Sequence, residues 1–396
     1  LKILFLSSRI PYPPDRGDKV RTLFILRFLA TLGDVCLVCL VDPKKDRAYM
    51  ETLAKEFPDA HFIAHSKLRA LFNLGLNIFK HTPFQVAYYH NPVLHGLLKR
   101  FTKERGFDLV YTHLIRMVPY AGYFEASRTI LDYTDCISLE YFRSLSHRKL
   151  LSRLFFAKEA KRTQSYEQLV ANRFGENWLI SPIDMQVMGL EKHARSVIIP
   201  NQVRIAEAEP SSELEWKIIF TGNMSVAHNV TAVQNVTLKI MPVLIKRFPQ
   251  LQFIIAGAEP NPEVMALDNV NHTHVIGFVQ DLYAELLKCD IFVAPMYYSA
   301  GIQNKALEAM ACGLPVVTTG NVARSLDVHD EVELMVADDN LGFVNRITQL
   351  LQDQDTRLQI GKAGKAHVLA RFSTSAVTEL MTERINNLIH RPGELQ

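Results

Sequence analysis

The chain is short of cysteine, of long apolar runs and of any dominant charge, and each shortage narrows its class. Only five cysteines occur in 396 residues: Cys36, Cys39, Cys136, Cys289 and Cys312. Cys36 and Cys39 form a C-x-x-C, but inside the apolar run 35–41, with no second pair and no nearby His, so core packing is preferred over a metal or redox site. This usage suits a reducing, cytoplasmic setting. No apolar run approaches the ~18 residues that a membrane-spanning helix needs. The opening Leu1-Lys2-Ile3-Leu4-Phe5-Leu6-Ser7-Ser8 is too short for a signal h-region and runs into prolines and charges, so no leader is expected. Low-complexity tracts and a G-x-G-x-x-G fingerprint are absent too. The net charge is only +3, but it conceals an asymmetry. Residues 1–200 hold 29 Lys+Arg against 19 Asp+Glu, a balance of +10, and the remaining residues hold 15 against 22, a balance of −7. No helix-turn-helix, RNA-recognition or zinc-finger pattern accompanies the basic half, which argues against nucleic acid. An anionic membrane surface or a phosphate-bearing acceptor fits it instead.

What is present is the composition of a globular enzyme, 48% apolar and 21% charged, at a length that divides into two domains. Short β-rich apolar runs alternate with longer helical patterns. Strands are expected at 3–7, 35–41, 109–112, 129–133, 177–181 and 197–199, and again at 217–221, 252–256, 273–276, 291–295 and 315–318. Such alternation predicts parallel, doubly wound sheets. The series restarts after the acidic, Pro-Ser-containing stretch 206–215, which reads as a linker. The fold class is therefore α/β, with two Rossmann-like domains in tandem whose ligands sit beyond the C-terminal ends of the strands.

The most informative stretch is 301–317. A polar loop of Gly301, Ile302, Gln303 and Asn304 runs into a short helix with Lys305 and Glu308 one turn apart, then a Gly-Leu-Pro break and a buried strand. A helix N-terminus offers free N–H groups and partial positive charge to phosphate. Lys305 adds a full charge there, and Glu308 an acceptor for ribose hydroxyls. Gly222 and Asn223 follow the strand 217–221, and Gly257 holds the matching place one strand later; both glycines permit close ligand approach, although such glycines are common in α/β folds.

In the first half, the loop after the first strand carries Pro11-Tyr12-Pro13-Pro14, then Gly17, Asp18 and the basic Arg9, Arg16, Lys19 and Arg21. Gly17 permits close backbone approach and Asp18 is a candidate helix cap. His113 ends the run Leu109-Val110-Tyr111-Thr112, at a strand tip where an imidazole can orient or relay a proton, or simply pack. Asp132-Tyr133-Thr134-Asp135 follows another tip. Its carboxylates suit acceptor hydroxyls or a helix cap, and the cap is preferred. The segment 141–162 holds seven basic residues against the single acid Glu159, interleaved with Leu145, Leu154, Phe155 and Phe156. It reads as a basic amphipathic helix suited to a membrane interface or as an ordinary solvated face. Segment 67–80, with Leu68, Leu71, Phe72 and Leu76, is a second lipid-facing candidate. Asp353-Gln354-Asp355 looks like a metal-binding D-x-D, but in a helical, leucine-lined setting it reads as a solvated helix end.

Taken together, these motifs resemble the GT-B glycosyltransferases, specifically the retaining family-4 type. The resemblance is strongest from 220 to 319, through Phe220-Thr221-Gly222-Asn223-Met224, Val275-Ile276-Gly277-Phe278-Val279, Cys289-Asp290-Ile291-Phe292-Val293-Ala294-Pro295 and the loop-helix 301–311. The last of these, with the N-terminal loop, is similar to a subgroup of bacterial sugar transferases for exopolysaccharide assembly. The resemblance implies three parts: residues 1–205 on the acceptor side, 206–375 binding the donor, and a C-terminal helix, 376–396, packing back on the first domain. It also implies roles. Glu308 would bind the donor ribose. Gly301, Ile302, Gln303, Asn304 and Lys305 would border the diphosphate and sugar, with Gly222, Asn223 and Pro295 alongside. Gly277, Phe278 and Val279 would border the base. Gly17, with Asp18, would approach the donor diphosphate from the opposite domain, and His113 would contact the reacting sugar.

Three departures stand out. Ala300 replaces the first Glu of the family's E-x7-E. Asn223 and Met224 stand where a basic clamp is common, leaving more of the charge neutralisation to Lys305. Gln202 follows Ile199-Pro200-Asn201 where Gly is commoner. The implied activity is transfer of a sugar from a nucleotide-diphosphate sugar to a lipid-linked or polysaccharide acceptor, with no metal and no cofactor, in the cytoplasm or at the inner face of the membrane. A nucleotide-sugar epimerase or hydrolase and a non-catalytic nucleotide-sugar-binding subunit are the alternatives.

Overall fold

The computed structural model describes residues 1–15, 17–77, 80–134, 136–145, 150–297 and 302–390. They form two units: residues 1–201 with the chain from Thr378 onward, and residues 202–377.

The first unit is built on a seven-stranded parallel sheet. Its strands are β1 (Lys2–Ser7), β2 (Asp34–Val41), β3 (Ala60–Ala64), β4 (Leu109–His113), β5 (Thr129–Asp132), β6 (Glu176–Leu179) and β7 (Ser196–Ile198), in the order β3-β2-β1-β4-β5-β6-β7. The second unit holds β8 (Lys217–Thr221), β9 (Gln252–Ala256), β10 (Thr273–Gly277), β11 (Ile291–Ala294), β12 (Val316–Thr318) and β13 (Met335–Val336), in the order β10-β9-β8-β11-β12-β13. Ile3, Leu4, Phe5 and Leu6 of β1 are wholly buried, as are Ile218, Ile219 and Phe220 of β8. Parallel strands covered by helices on both faces need such unbroken apolar runs. In each sheet the order reverses beside the first strand, between β1 and β4 and between β8 and β11. The crevice beyond the strand ends at this switch point is where open α/β sheets bind ligands.

Three sequence expectations change. Strands β3 and β13 were not anticipated: β3 is a half-buried edge strand containing His61, and β13 has only two residues, so neither has an apolar run to announce it. The basic segment 141–162 is not one helix. It is shared between helices Ile137–Ser144 and Leu150–Ala171. The stretch 206–215 has no regular structure, yet it is pinned to the second unit: Ala206 N–H donates to Ala311 O, and Arg357 donates to Ser212 O. As expected, Asp353 is a helix end. It caps Gln354–Phe372 by accepting from the Thr356 N–H at 3.0 Å.

The unit boundary falls inside the helix Thr374–Ile389. From Thr378 onward its residues pack with the first unit, where Arg384 pairs with the buried Glu176.

Candidate functional site

In the second unit, three strand tips are tied together by backbone. Gly222 N–H donates to Ala256 O at 3.1 Å, Met224 N–H to Ala258 O at 2.8 Å, and Gly257 N–H to Gly277 O at 2.7 Å. The spacing demands glycine at Gly257. Its φ is +150°, and a Cβ there would lie 1.7 Å from the Gly222 carbonyl oxygen. Gly222, at φ +157°, has a side-chain neighbourhood already filled: a Cβ would meet Asn229 Nδ2 at 2.8 Å and Lys305 Nζ at 3.4 Å.

Lys305 lies in the first turn of the helix Asn304–Ala311, which follows β11 beside that switch point. The first N–H groups of a helix have no intrahelical carbonyl to bond. Nζ donates to Asn229 Oδ1 and lies 4.7 Å from the centroid of the Phe220 ring. Burial lowers the Lys305 pKa to about 8, an effect that Glu308 opposes. Glu308, one turn on, is also half-buried, and burial raises its pKa to about 7 against the pull of Lys305. An apolar floor thus holds a cation and a carboxyl close to neutrality, where an incoming charge can settle their ionisation.

Around them, Ile302 and Gln303 are half-buried and Asn304 is exposed, while Pro295 is buried beneath the site. Phe278, just past the tip of β10, is 76% exposed, and Val279 packs against the core. Met224 is fully buried, so the residue standing at the clamp position belongs to the core. Asn223 donates to Glu259 at 3.1 Å, and Ser225 bonds both residues. Gly301 and Ala300 lie outside the described residues, and so does Asp135.

At the corresponding edge of the first unit, the helix Gly17–Leu32 starts at Gly17, which has open space where a Cβ would stand. Asp18 sits in the first turn rather than at the cap, and its carboxylate accepts from Arg9 at 2.8 Å. His113 is at its strand tip, opposite Ser7 in register. Its ring is only 1% exposed, though, held between Thr22 Oγ1 at 3.0 Å and Ser7 Oγ at 3.4 Å. The Thr22 hydroxyl donates to Asp18 O, so the His113 Nε2 contact is satisfied with the imidazole donating. Burial drops its pKa to about 4, with nearby Arg116 and Arg9 adding to the effect. Asp132 caps no helix, contrary to expectation. It accepts from Arg21 at 2.9 Å and Tyr111 at 2.6 Å in a fully buried cluster, and Arg21 also donates to Pro200 O.

Comparison with known proteins bears on what such a site serves. Residues 215–353, which include Lys305 and Glu308, match the family described as Glycosyl transferases group 1. A Corynebacterium glutamicum protein named GDP-mannose-dependent monoacylated alpha-(1-6)-phosphatidylinositol monomannoside mannosyltransferase is 28% identical over 215 residues, 50% of this chain and 55% of that one. An uncharacterized 44.6 kDa protein in the cps region of Klebsiella pneumoniae is 20% identical over 87% of this chain and 90% of its own. Among solved structures, Anabaena HepE in complex with UDP superposes with a TM-score of 0.62 over 98% of this chain and 100% of that one, at 16% identity. The chain is a glycosyltransferase of the GT-B fold.

In each unit of this glycosyltransferase, contacts around the candidate residues gave no sign in the sequence. Asn229 lies 76 residues from Lys305 along the chain. Tyr283 donates to Arg204 O at 2.7 Å, and its pKa is raised by burial and then by the charge of Glu308. Arg21 looked like one more loop cation. Asn229 and Tyr283 fall in no motif, and all three acquire their roles from contacts distant in sequence.

One group of Cys36, Asp59 and His61 brings three potential metal-ligating atoms within 4.8 Å of one another. The Arg105 guanidinium is already among them, at 2.6 Å from Asp59 and 3.5 Å from Cys36 Sγ. Burial pushes the Cys36 thiol up to about 12, which disfavours the thiolate a metal needs. The group also sits at the N-terminal edge of its sheet, away from the strand tips.

Proposed function

We propose that this glycosyltransferase is a retaining enzyme of the family-4 type, moving a sugar from a nucleotide-diphosphate sugar to a hydroxyl of a lipid-linked or polysaccharide acceptor during cell-surface glycan synthesis. The observation that carries it is Lys305 on the first turn of its helix, against Asn229 and beside Gly222, with Glu308 one turn on. The names of the similar proteins support the donor class: one is GDP-mannose-dependent and another binds UDP. The cps-region protein supports the glycan context.

The hard step is departure of the nucleotide diphosphate. Lys305 and the N–H groups of the 304–311 helix stabilise the charge developing on the leaving phosphate. The acceptor hydroxyl attacks from the same face through an oxocarbenium-like state, and the departing phosphate oxygen takes its proton. No side chain serves as a covalent nucleophile, and no metal is required, since Lys305 and the helix terminus supply the positive charge. Glu308 holds the ribose. Gly277, Phe278 and Val279 border the base, and Gly17 and Asp18, on the acceptor-side unit, approach the donor diphosphate. His113 keeps a positioning role only, because its neutral, covered ring is a poor proton relay. The setting is the cytoplasm, with the basic first unit at an anionic membrane face. No helix among the described residues is long and apolar enough to cross a membrane.

The test is a panel of nucleoside diphosphates in a thermal-shift assay, followed by turnover with an acceptor panel. One diphosphate should raise the melting point, and Lys305→Ala should abolish both that shift and transfer. Wild-type turnover in Lys305→Ala would overturn the phosphate role. Donor binding without turnover on any acceptor would indicate a nucleotide-sugar-binding subunit. Free sugar released at the same rate without acceptor would indicate a hydrolase.

A further inference from the structure

A cavity of about 840 Å³ opens on the flank of the first unit, between the helix Leu150–Ala171 and the segment 80–82. Lys80, His81, Lys158, Lys161, Arg162 and Arg173 line it, and among the described residues no Asp or Glu does. Lys158, Lys161 and Arg173 recur on one helical face and then just past the helix end, over a rise of about 22 Å. The nearby acid Glu159 is buried and already engaged by Arg162 and by the Phe84 N–H. Arg162 is further committed to Lys80 O at 3.0 Å and to the Phe84 ring face at 4.1 Å, so it fixes the wall of the cavity. The remaining cations are exposed.

The neighbouring helix Lys67–Asn77 is amphipathic in the wrong direction for a surface helix. Leu68, Leu71, Phe72 and Leu76 share one face, at i, i+3, i+4 and i+8, and are 81%, 61%, 67% and 58% exposed. Its two asparagines bond back to the protein, Asn73 donating to His90 O and Asn77 to Thr82 O, while Lys67 and Arg69 stay exposed beside the apolar face. A second cavity, of about 530 Å³ and lined in part by Phe72 and Leu76, runs into the basic one and shares Lys80, Thr82 and Pro119 with it.

We propose that this flank docks on an anionic bilayer, with one lipid phosphate in the basic cavity and the apolar face of the 67–77 helix among the acyl chains. A soluble phosphate would account for the cations but not for the four exposed apolar side chains beside them. A second copy seated flank to flank would set like charge against like. A bilayer with acidic headgroups satisfies both halves of the surface. The site is distinct from the donor pocket, which belongs to the other unit. It gives a location to the membrane contact in the functional reading above and rests on that part of it alone.

The experiment is co-sedimentation of the full chain, without donor or acceptor, with vesicles of phosphatidylcholine alone or mixed equally with phosphatidylglycerol. Binding is expected only to the mixed vesicles and should weaken with added NaCl. Each lysine near a surface contributes about fivefold to partitioning, so Lys158→Gln/Lys161→Gln should bind roughly 25-fold more weakly. Leu71→Ser/Phe72→Ser should lose binding even at low salt. Both variants should keep the wild-type melting point and its response to nucleoside diphosphate, which separates a lost surface from a lost fold. Equal binding to neutral vesicles, or unchanged binding by the lysine variant, would overturn the proposal. So would inorganic phosphate displacing the protein from mixed vesicles at constant ionic strength, since that outcome assigns the cavity to a soluble anion. None of these results depends on sugar transfer, so failure here leaves the catalytic reading standing.

Discussion

Lys305 Nζ lies 4.7 Å from the centroid of the Phe220 ring, so the one cation of the 301–311 segment rests on an aromatic floor at the end of β8. A cation held on such a face keeps part of its attraction while losing much of its water. Replacing Lys305 with Met should lower transfer by ~100-fold or more, the scale for removing one group that stabilises developing charge. The same change removes a poorly solvated ammonium, so the melting point should hold or rise. Steady-state kinetics beside thermal unfolding separates these effects; a large fall in both would mean that Lys305 is structural.

Donor binding should depend on pH. Lys305 is lowered from 10.5 to about 8 and Glu308 raised from 4.5 to about 7, both chiefly by burial. For folding, the lowered Lys305 contributes stability that is present above its unfolded pKa and lost as pH falls through about 8. The raised Glu308 contributes stability that is present below its unfolded pKa and lost as pH rises through about 7. A diphosphate favours the charged lysine, so binding above pH 8 should draw in a proton. Affinity should therefore fall above about pH 8, and fall again below about pH 7 as Glu308 is protonated. Calorimetry in buffers of different ionisation enthalpy measures the proton uptake directly, and a flat profile from pH 6 to 9 would contradict it.

Gly257 and Gly222 touch at a separation that leaves no room for a methyl group. Gly257→Ala would place Cβ 1.7 Å from Gly222 O at a φ of +150°. The backbone conformation alone costs about 1–3 kcal/mol, and relieving the overlap must move the 222–224 loop. The variant should melt lower and bind nucleoside diphosphate more weakly. Gly17→Ala is the control: its Cβ meets nothing within 4 Å, so stability should barely change.

Asp132 is the buried counter-ion of Arg21 and accepts from Tyr111 and Thr134 as well. Asp132→Ala strands the guanidinium, and stranding a buried charge costs about 3–5 kcal/mol. Chemical denaturation should show that loss with an unchanged m-value. Donor nucleotide binding, which belongs to the other unit, should survive wherever the variant is folded.

Much of this architecture was legible along the chain. Apolar runs such as Ile3-Leu4-Phe5-Leu6 can only be strands covered on both faces, and their alternation with helical segments leads to parallel doubly wound sheets. Lys305 and Glu308 could be placed on one helix face from their three-residue spacing alone. The edge strand β3 and the two-residue β13 escaped notice because neither buries enough apolar surface to leave a pattern.

Sequence by itself thus determined the fold class, the strand tips and the lysine-carboxylate pair, because periodicity and helix spacing are local properties. Tertiary structure decided everything that depends on which atoms exclude water from which charge. It brought Asn229 and Phe220 to Lys305, 76 and 85 residues away in sequence. It closed protein around His113 and turned Asp132 from a helix cap into a counter-ion. It also turned the apolar face of the 67–77 helix outward. Desolvation and pairing are set by neighbours from remote parts of the chain, and local sequence does not say which neighbours those will be.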